Sequence, residues 1–285
     1  MRVPTLALMA AALVTAGCGG GGDDYVPPPD LRPDPPPPTA ASVRLDLSTG
    51  RLLDGAAEIP GDATSLSFRA VAAGTITVSA LDAVVADGSP STTRSAVVAA
   101  GWLATTELTR GQWRALVDRT AASVPREPWS VLPAEYLGSA GDAAPATNLA
   151  WSDITAVLAA WNASQPYRLA VPDGARWEAA ALAGGAGPWP WGADPALATT
   201  FAVVGPATAT GPGAVGARPA AANGLRDCAG NAWEWVRDGG PADGPVLRGG
   251  SWSDPLLSAQ AGNRLDCPPG VRHPAAGVRL LLETP

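Results

Sequence analysis

The sequence predicts an α+β domain with much irregular structure, and three observations carry that reading. Alternating apolar residues mark strands in the first part of the globular region. Three capped, amphipathic segments mark helices in the middle. Glycine and proline then take over, which leaves loops and short strands in the C-terminal half.

The strands come first. VRLDLSTG alternates apolar and polar residues and ends in a turn. SLSFRAVAAGTITVSAL alternates on either side of a glycine turn, and SAVVAAGWLATTE reads as a further strand or pair. TELTRGQWRALVDRT changes to helical spacing, with Thr106 or Thr109 as cap and Trp113, Leu116 and Val117 on one face. WSDITAVLAAWNASQ repeats that grammar, with Ser152 as expected N-cap and Ile154, Val157, Leu158 and Trp161 as the stripe. PDGARWEAAALAGG predicts a third helix, opened by Asp173 and closed by a glycine pair. Long irregular stretches in a compact domain signal function or another constraint, such as bound metal.

The chain of 285 residues carries a formal net charge of −7, and all 19 of its basic groups are arginine. No basic patch is present, and the acidic balance argues against a nucleic-acid partner. The opening MRVPTLALMAAALVTAGC has one positive charge, a short apolar run and small residues, the pattern of a secretory signal at residues 1–17. The run is short for a membrane span. Ala16-Gly17-Cys18 resembles the lipobox of bacterial lipoproteins, with Thr15 where leucine is usual, so Cys18 is the expected lipidation site. GGGGDDYVPPPDLRPDPPPP follows as a tether, flexible in its glycines and extended in its prolines. The expected organisation is signal 1–17, lipidated cysteine and tether 18–40, a β-rich lead-in 41–65 and the main domain 66–283. The implied location is the cell envelope, with membrane contact through the lipid. Gly19 after Cys18 points to the outer membrane.

With Cys18 lipidated, Cys228 and Cys267 remain as an even pair in an oxidising compartment. A disulfide between them is the expectation. It would close a loop of about 40 residues and stabilise by up to roughly 4 kcal/mol. The competing reading is a reactive thiol, against which stands Asp227, a neighbour that disfavours a thiolate.

Taken in order, the motifs resemble the formylglycine-generating-enzyme (sulfatase-modifying factor) domain family. FRAVAAGTITV resembles its opening strand and glycine turn, and ATTELTRGQWRALV its strand-to-helix step. PATNLAWSDITAVLAAWN, YRLAVPDGARWEAAALAGG and PWPWGAD follow, then GLRDCAGNAWEWVRD, VLRGGSW and GVRLL. The resemblance spans about residues 66–282 and implies a C-type-lectin-like fold. It also implies one calcium ion in the loop DCAGNAWE. The ligands would be the carboxylates of Asp227 and Glu234 and the carbonyls of Gly230 and Ala232, an all-oxygen set that suits a hard cation. The family's second calcium site uses an asparagine after the W-G-D region. This chain reads ATTFAVV there, so that site is expected to be missing or altered. Trp233 and Trp235 are expected to pin the loop to the core.

Catalysis is where the sequence departs from the family. The oxidase members place two copper-binding cysteines shortly after R-G-G-S, and Asp254 and Ala259 stand at those positions here. A Cu(I) site without soft thiolates is not expected. The sulfoxide-synthase branch uses a histidine-rich iron site, and this chain has one histidine, His273. No H-E-x-x-H, G-x-S-x-G or phosphate loop is present. Glu178 reads as a structural anchor, and most of the eleven tryptophans as core residues.

Three functions follow as expectations. The first is a non-catalytic, surface-tethered binding or scaffold module for a protein, peptide or glycan. The second is an enzyme of altered, copper-cysteine-independent chemistry using Arg248, Ser251 or Asp254. The third is a ligand-binding protein diversified by a retroelement over residues 253–276, a stretch that such proteins vary on this fold.

Overall fold

The computed structural model describes residues 40–79, 93–205, 211–237 and 244–283. The signal, Cys18 and nearly all of the tether lie outside the described residues.

The first sheet has six strands. β1 (Ser42–Asp46) turns Val43 and Leu45 inward, with Leu47 just beyond its end, and leaves Arg44 and Asp46 outward, as the alternation requires. β1 lies between β2 (Leu52–Asp54) and β3 (Ser65–Val71), both antiparallel to it. The lead-in segment is therefore part of the main sheet. β4 (Gly74–Ser79) and β5 (Thr93–Val98) form a separate two-stranded ribbon. β6 (Gly101–Ala104) returns to the sheet beside β3, and Leu103 and Trp102 are buried there.

α1 (Arg110–Thr120) begins at Thr109, whose hydroxyl accepts from the Gln112 amide while the Gln112 side chain accepts from the Thr109 amide. This reciprocal box settles the choice between Thr106 and Thr109. α2 (Trp151–Ser164) starts earlier than its predicted cap. Ala150 takes the N-cap position, and Asp153 reaches back to its amide at 3.1 Å, so Ser152 lies inside the first turn. β7 (Arg168–Ala170) is tied to α2 by Asn162, whose amide group donates to and accepts from the Leu169 backbone at 2.9 Å each. α3 (Gly174–Leu182) has Asp173 as N-cap, accepting from the Arg176 amide at 2.8 Å. Beyond it lies a short α4 (Ala198–Phe201).

The second sheet is built late in the chain. β8 (Trp233–Arg237) pairs with β9 (Pro245–Arg248), and β10 (Leu265–Asp266) with β9. β11 (Ala276–Gly277) adds to β8 in parallel. β12 (Leu281–Glu283) then enters the first sheet between β6 and β7, giving the order β2-β1-β3-β6-β12-β7. The α+β expectation holds, with loops dominating after α3.

The core supports the tryptophan reading: all but Trp151 and Trp191 are buried. Several use the indole N–H to hold a loop carbonyl, as Trp113 does to Pro125, Trp161 to Tyr167 and Trp235 to Leu149. The cysteine pairing, in contrast, requires correction. Cys228 and Cys267 are both free thiols. Cys228 packs with Trp177 and Leu225, and its Sγ faces the Arg226 carbonyl. Cys267 belongs to a different group of core side chains, its Sγ near the carbonyls of Pro268 and Val271. An even cysteine count carries no information on where the backbone places the sulfurs, and here it places them apart.

Candidate functional site

The DCAGNAWE loop is folded by three left-handed residues within five: Asp227 at φ 59°, Gly230 at 79° and Asn231 at 63°. Gly230 is obligatory for a second reason, because a Cβ there would lie 2.3 Å from the Val203 carbonyl oxygen. Asn231 accepts from the Gly213 amide at 2.9 Å and donates to Glu107 at 2.8 Å. The other Glu107 oxygen accepts from the Ala232 amide at 2.9 Å. Asp227 accepts from the Gly216 amide at 2.5 Å.

Glu234, on β8, is held by Arg279. Nη2 of Arg279 donates at 2.8 Å and Nε at 3.0 and 3.2 Å, while Trp177 Nε1 donates to Glu234 at 2.5 Å. Arg279 also reaches the carbonyls of Ala104 at 3.0 Å and Arg226 at 2.7 Å. One arginine thus joins β6, β8 and the loop. Neither Glu107 nor Arg279 was singled out in the sequence. Both stand next to apolar residues in strand-like runs, and a lone charge in such a run is the available signal.

The electrostatics of this centre are unbalanced. Glu107, Asp227 and Glu234 are all buried, against one buried guanidinium, Arg279. Burial, together with the charges of Asp227 and Glu234, holds the Glu107 carboxyl well above the usual carboxylate range. Burial also raises Asp227 to about 6, with Glu234 adding to the rise and the Gly216 amide and Arg279 opposing it. The Cys228 thiol is pushed up to about 12, first by burial, with the three carboxylates adding and Arg279 opposing. It is a neutral thiol, without the thiolate a nucleophile needs.

Calcium is the cation that the resemblance implies for this loop. Oxygen atoms and an excess of buried negative charge fit a hard divalent cation. Asp227 and the loop carbonyls of Gly230 and Ala232 are the groups with fewest commitments, whereas Glu234 would have to share its oxygens with Arg279 and Trp177. Among the described residues, no three His, Cys, Asp or Glu side chains converge on one metal position. The fit therefore rests on one carboxylate and carbonyls, not on a carboxylate cage.

The second candidate region follows R-G-G-S. Gly249 at φ 91° and Gly250 at 71° turn the chain where it packs on Trp177 and on the Ala259 backbone. Arg248 immediately precedes this turn. It is 1% exposed, donating to Glu178 at 3.2 Å and to the Ala261 carbonyl at 3.0 Å. Ser251 and Asp254 do meet: one Asp254 oxygen accepts from Trp233 Nε1 at 2.9 Å, from the Ser251 amide at 3.1 Å and from the Ser251 hydroxyl. Ser251 itself is fully buried. His273 turns Nδ1 to the Ala275 amide at 3.3 Å, and burial lowers its pKa against the pull of Asp254. Asp254 is arranged as an acceptor that braces the turn, and Ala259 is buried beneath it.

The surrounding segment 253–276 is anchored at intervals and exposed between. Arg272 makes a forked ion pair with Asp153 of α2 at 2.8 and 2.9 Å. Pro255, Leu257, Asp266 and residues 268–271 face solvent.

The family model described as "Sulfatase-modifying factor enzyme 1-like domain" matches residues 62–284. No curated protein matches the chain. Among solved structures, Treponema denticola variable protein 1 is similar, with TM-score 0.65 and 20% identity, covering 77% of this chain and 95% of that one. PvdO from Pseudomonas aeruginosa has TM-score 0.64 and 23% identity, covering 80% and 100%. CarF has TM-score 0.59 and 20% identity, covering 76% and 98%. At these identities the structural likenesses speak for the fold.

Proposed function

The chain belongs to the family of sulfatase-modifying factor enzyme 1-like domains, and we propose that it is a non-catalytic member acting as a binding or scaffold module, tethered at the cell envelope by lipid on Cys18. The observation that carries this reading is the region after R-G-G-S. Asp254 has one oxygen committed to three donors, Ala259 is a buried alanine, and the two thiols of the domain lie apart. No soft pair for Cu(I) results from these side chains, and the one hydroxyl that meets the Asp254 carboxylate, that of Ser251, is fully buried. The exposed parts of 253–276, held on a rigid frame, are the natural contact surface for a protein, peptide or glycan. The test is oxygen-dependent oxidation of a cysteine-containing peptide by the purified protein with copper supplied. The reading expects no turnover above background, and robust turnover would sink it.

Calcium belongs to this proposal as a stabiliser of the presenting frame. Asp227 with the carbonyls of Gly230 and Ala232 would hold it, and its charge would offset the buried acids. Thermal melting should show a midpoint a few degrees higher with calcium than with chelator, because a ligand of the native state must stabilise it. Identical midpoints would remove calcium from the account.

A second reading is diversification of residues 253–276 by a retroelement. The exposure of that segment favours it, and one similar structure is by its printed name a variable protein. A reverse transcriptase and a near-copy template beside the gene would support it, and their absence would end it.

A further inference from the structure

Six strands lie at sheet edges among the described residues: β2 and β7, β10 and β11, β4 and β5. The first four are short, with three residues each in β2 and β7 and two each in β10 and β11. Shortness protects an edge, because a brief row of open amides and carbonyls offers little for another strand to pair with. β4 and β5 have six residues each. Their register runs without a bulge from Gly74↔Val98 to Ser79↔Thr93. Neither strand contains proline or an acidic residue, and Arg94 is their one charge. The usual protections are missing from this ribbon.

The pairing explains why these edges exist. Val71 faces Gly101 at the end of the β3–β6 pair, and three residues further along each strand Gly74 faces Val98. The ribbon is thus the outer half of one long hairpin, which has run past the strands β1 and β12 that flank its inner half. One face lies on α3, where Ala96 and Val98 are buried. The other face carries Thr75 and Thr77 on β4 and Thr93, Ser95 and Val97 on β5, all exposed. Val97 is 83% exposed, the highest value for a large apolar side chain among the described residues.

Two features make a second copy of the chain the fitting occupant. In a two-fold contact each surface meets itself, so any charge on it faces its own kind. The outward face of the ribbon has no charged residue among those five, in a chain whose net charge is −7. The open donors and acceptors of an antiparallel edge are also complemented by the same edge turned through a half rotation.

We propose that β5 is a self-association edge: two copies of the chain pair β5 with β5, antiparallel about a two-fold axis, and their ribbons become one four-stranded sheet. β5 takes the contact because Val97 stands on it, and a strand laid alongside covers that side chain. The contact uses neither the calcium loop nor the R-G-G-S turn, so it stands whether or not the protein is catalytic.

Sedimentation equilibrium of the purified protein over a dilution series reads the mass. A reversible shift from the one-chain to the two-chain mass is expected, largely complete by about 100 μM because one strand pair is a small contact. Ser95→Lys combined with Val97→Lys sets like charges across the new sheet and should weaken association by about tenfold or more. Both positions are exposed, so this variant should melt as the parent does. Thr75→Lys combined with Thr77→Lys adds the same charge to β4, which lies on the outside of the four-stranded sheet, and should weaken association far less. In the parent, amide exchange within residues 93–98 should slow as protein concentration rises, while β2 and β7 exchange at unchanged rates. A one-chain mass throughout, which would leave the edge to an extended peptide, overturns the proposal. So does association that survives the β5 lysines, association that the β4 lysines abolish equally, or exchange in residues 93–98 that ignores concentration.

Discussion

At the scale of single residues, the buried acids around Arg279 determine how the domain responds to pH. Asp227 is raised from 3.8 to about 6 in the folded protein, chiefly by burial. An acid whose folded pKa is raised keeps its proton more tightly when folded. Its contribution is therefore most favourable below pH 4 and is lost as pH rises toward 6, after which the penalty is constant. A shift of that size corresponds to about 3 kcal/mol. In the presence of chelator, the parent should lose melting temperature between pH 4 and 6 in excess of Asp227→Asn. Equal pH profiles for the two proteins would contradict the assignment. Glu107 has the same sign, so the variant is expected to flatten the profile without abolishing its slope. Asp227 and Glu234 could be picked out of the sequence by their place in a motif, but their surroundings could not. Glu107 and Arg279 converge on the loop from positions more than a hundred residues away from it or across a different strand, and no local pattern reports that. The thiols show the same limit, since count and compartment suggested a bridge that the packing does not make.

At the scale of elements, local signals are legible where a short-range bond decides them. Thr109 and Asp173 cap the helices that their side chains open. The N-cap of α2 lies two positions before the expected Ser152, because the Ala150 amide donates to the Asp153 carboxylate three residues on, whereas a serine nearby offers a commoner solution. Asp153 also receives the fork of Arg272, so a single side chain secures both the helix entry and the exposed segment before β11. Asp153→Ala should destabilise the domain by about 1–2 kcal/mol, read from the urea midpoint. Hydrogen exchange should rise in residues 268–275 more than in α1. A uniform increase across the domain would mean that Asp153 supports the core generally and does not anchor that segment.

At the scale of the whole molecule, the order of strands was not legible at all. Alternation marked β1, β3 and β6, but nothing in LLLETP says that β12 separates β6 from β7. Strand pairing over such separation is fixed by the complete packing and not by neighbouring residues. A chain ending at Val278 would lose Arg279 and β12 together, removing the central guanidinium and opening the six-stranded sheet beside β6. It should not fold cooperatively, and circular dichroism melting should show no sharp transition. A sharp transition near that of the full chain would show that the sheet tolerates the gap.

The late entry of β12 between strands laid down much earlier sets a limit on when the domain can close. During synthesis, every part of the sheet except its interior strand can leave the ribosome while the strand itself is still inside. The nascent polypeptide thus has no complete six-stranded sheet until β12 has emerged. If the signal expected at residues 1–17 directs it through a translocation channel that accepts only unfolded chains, this delay keeps the polypeptide competent for passage until β12 has been made.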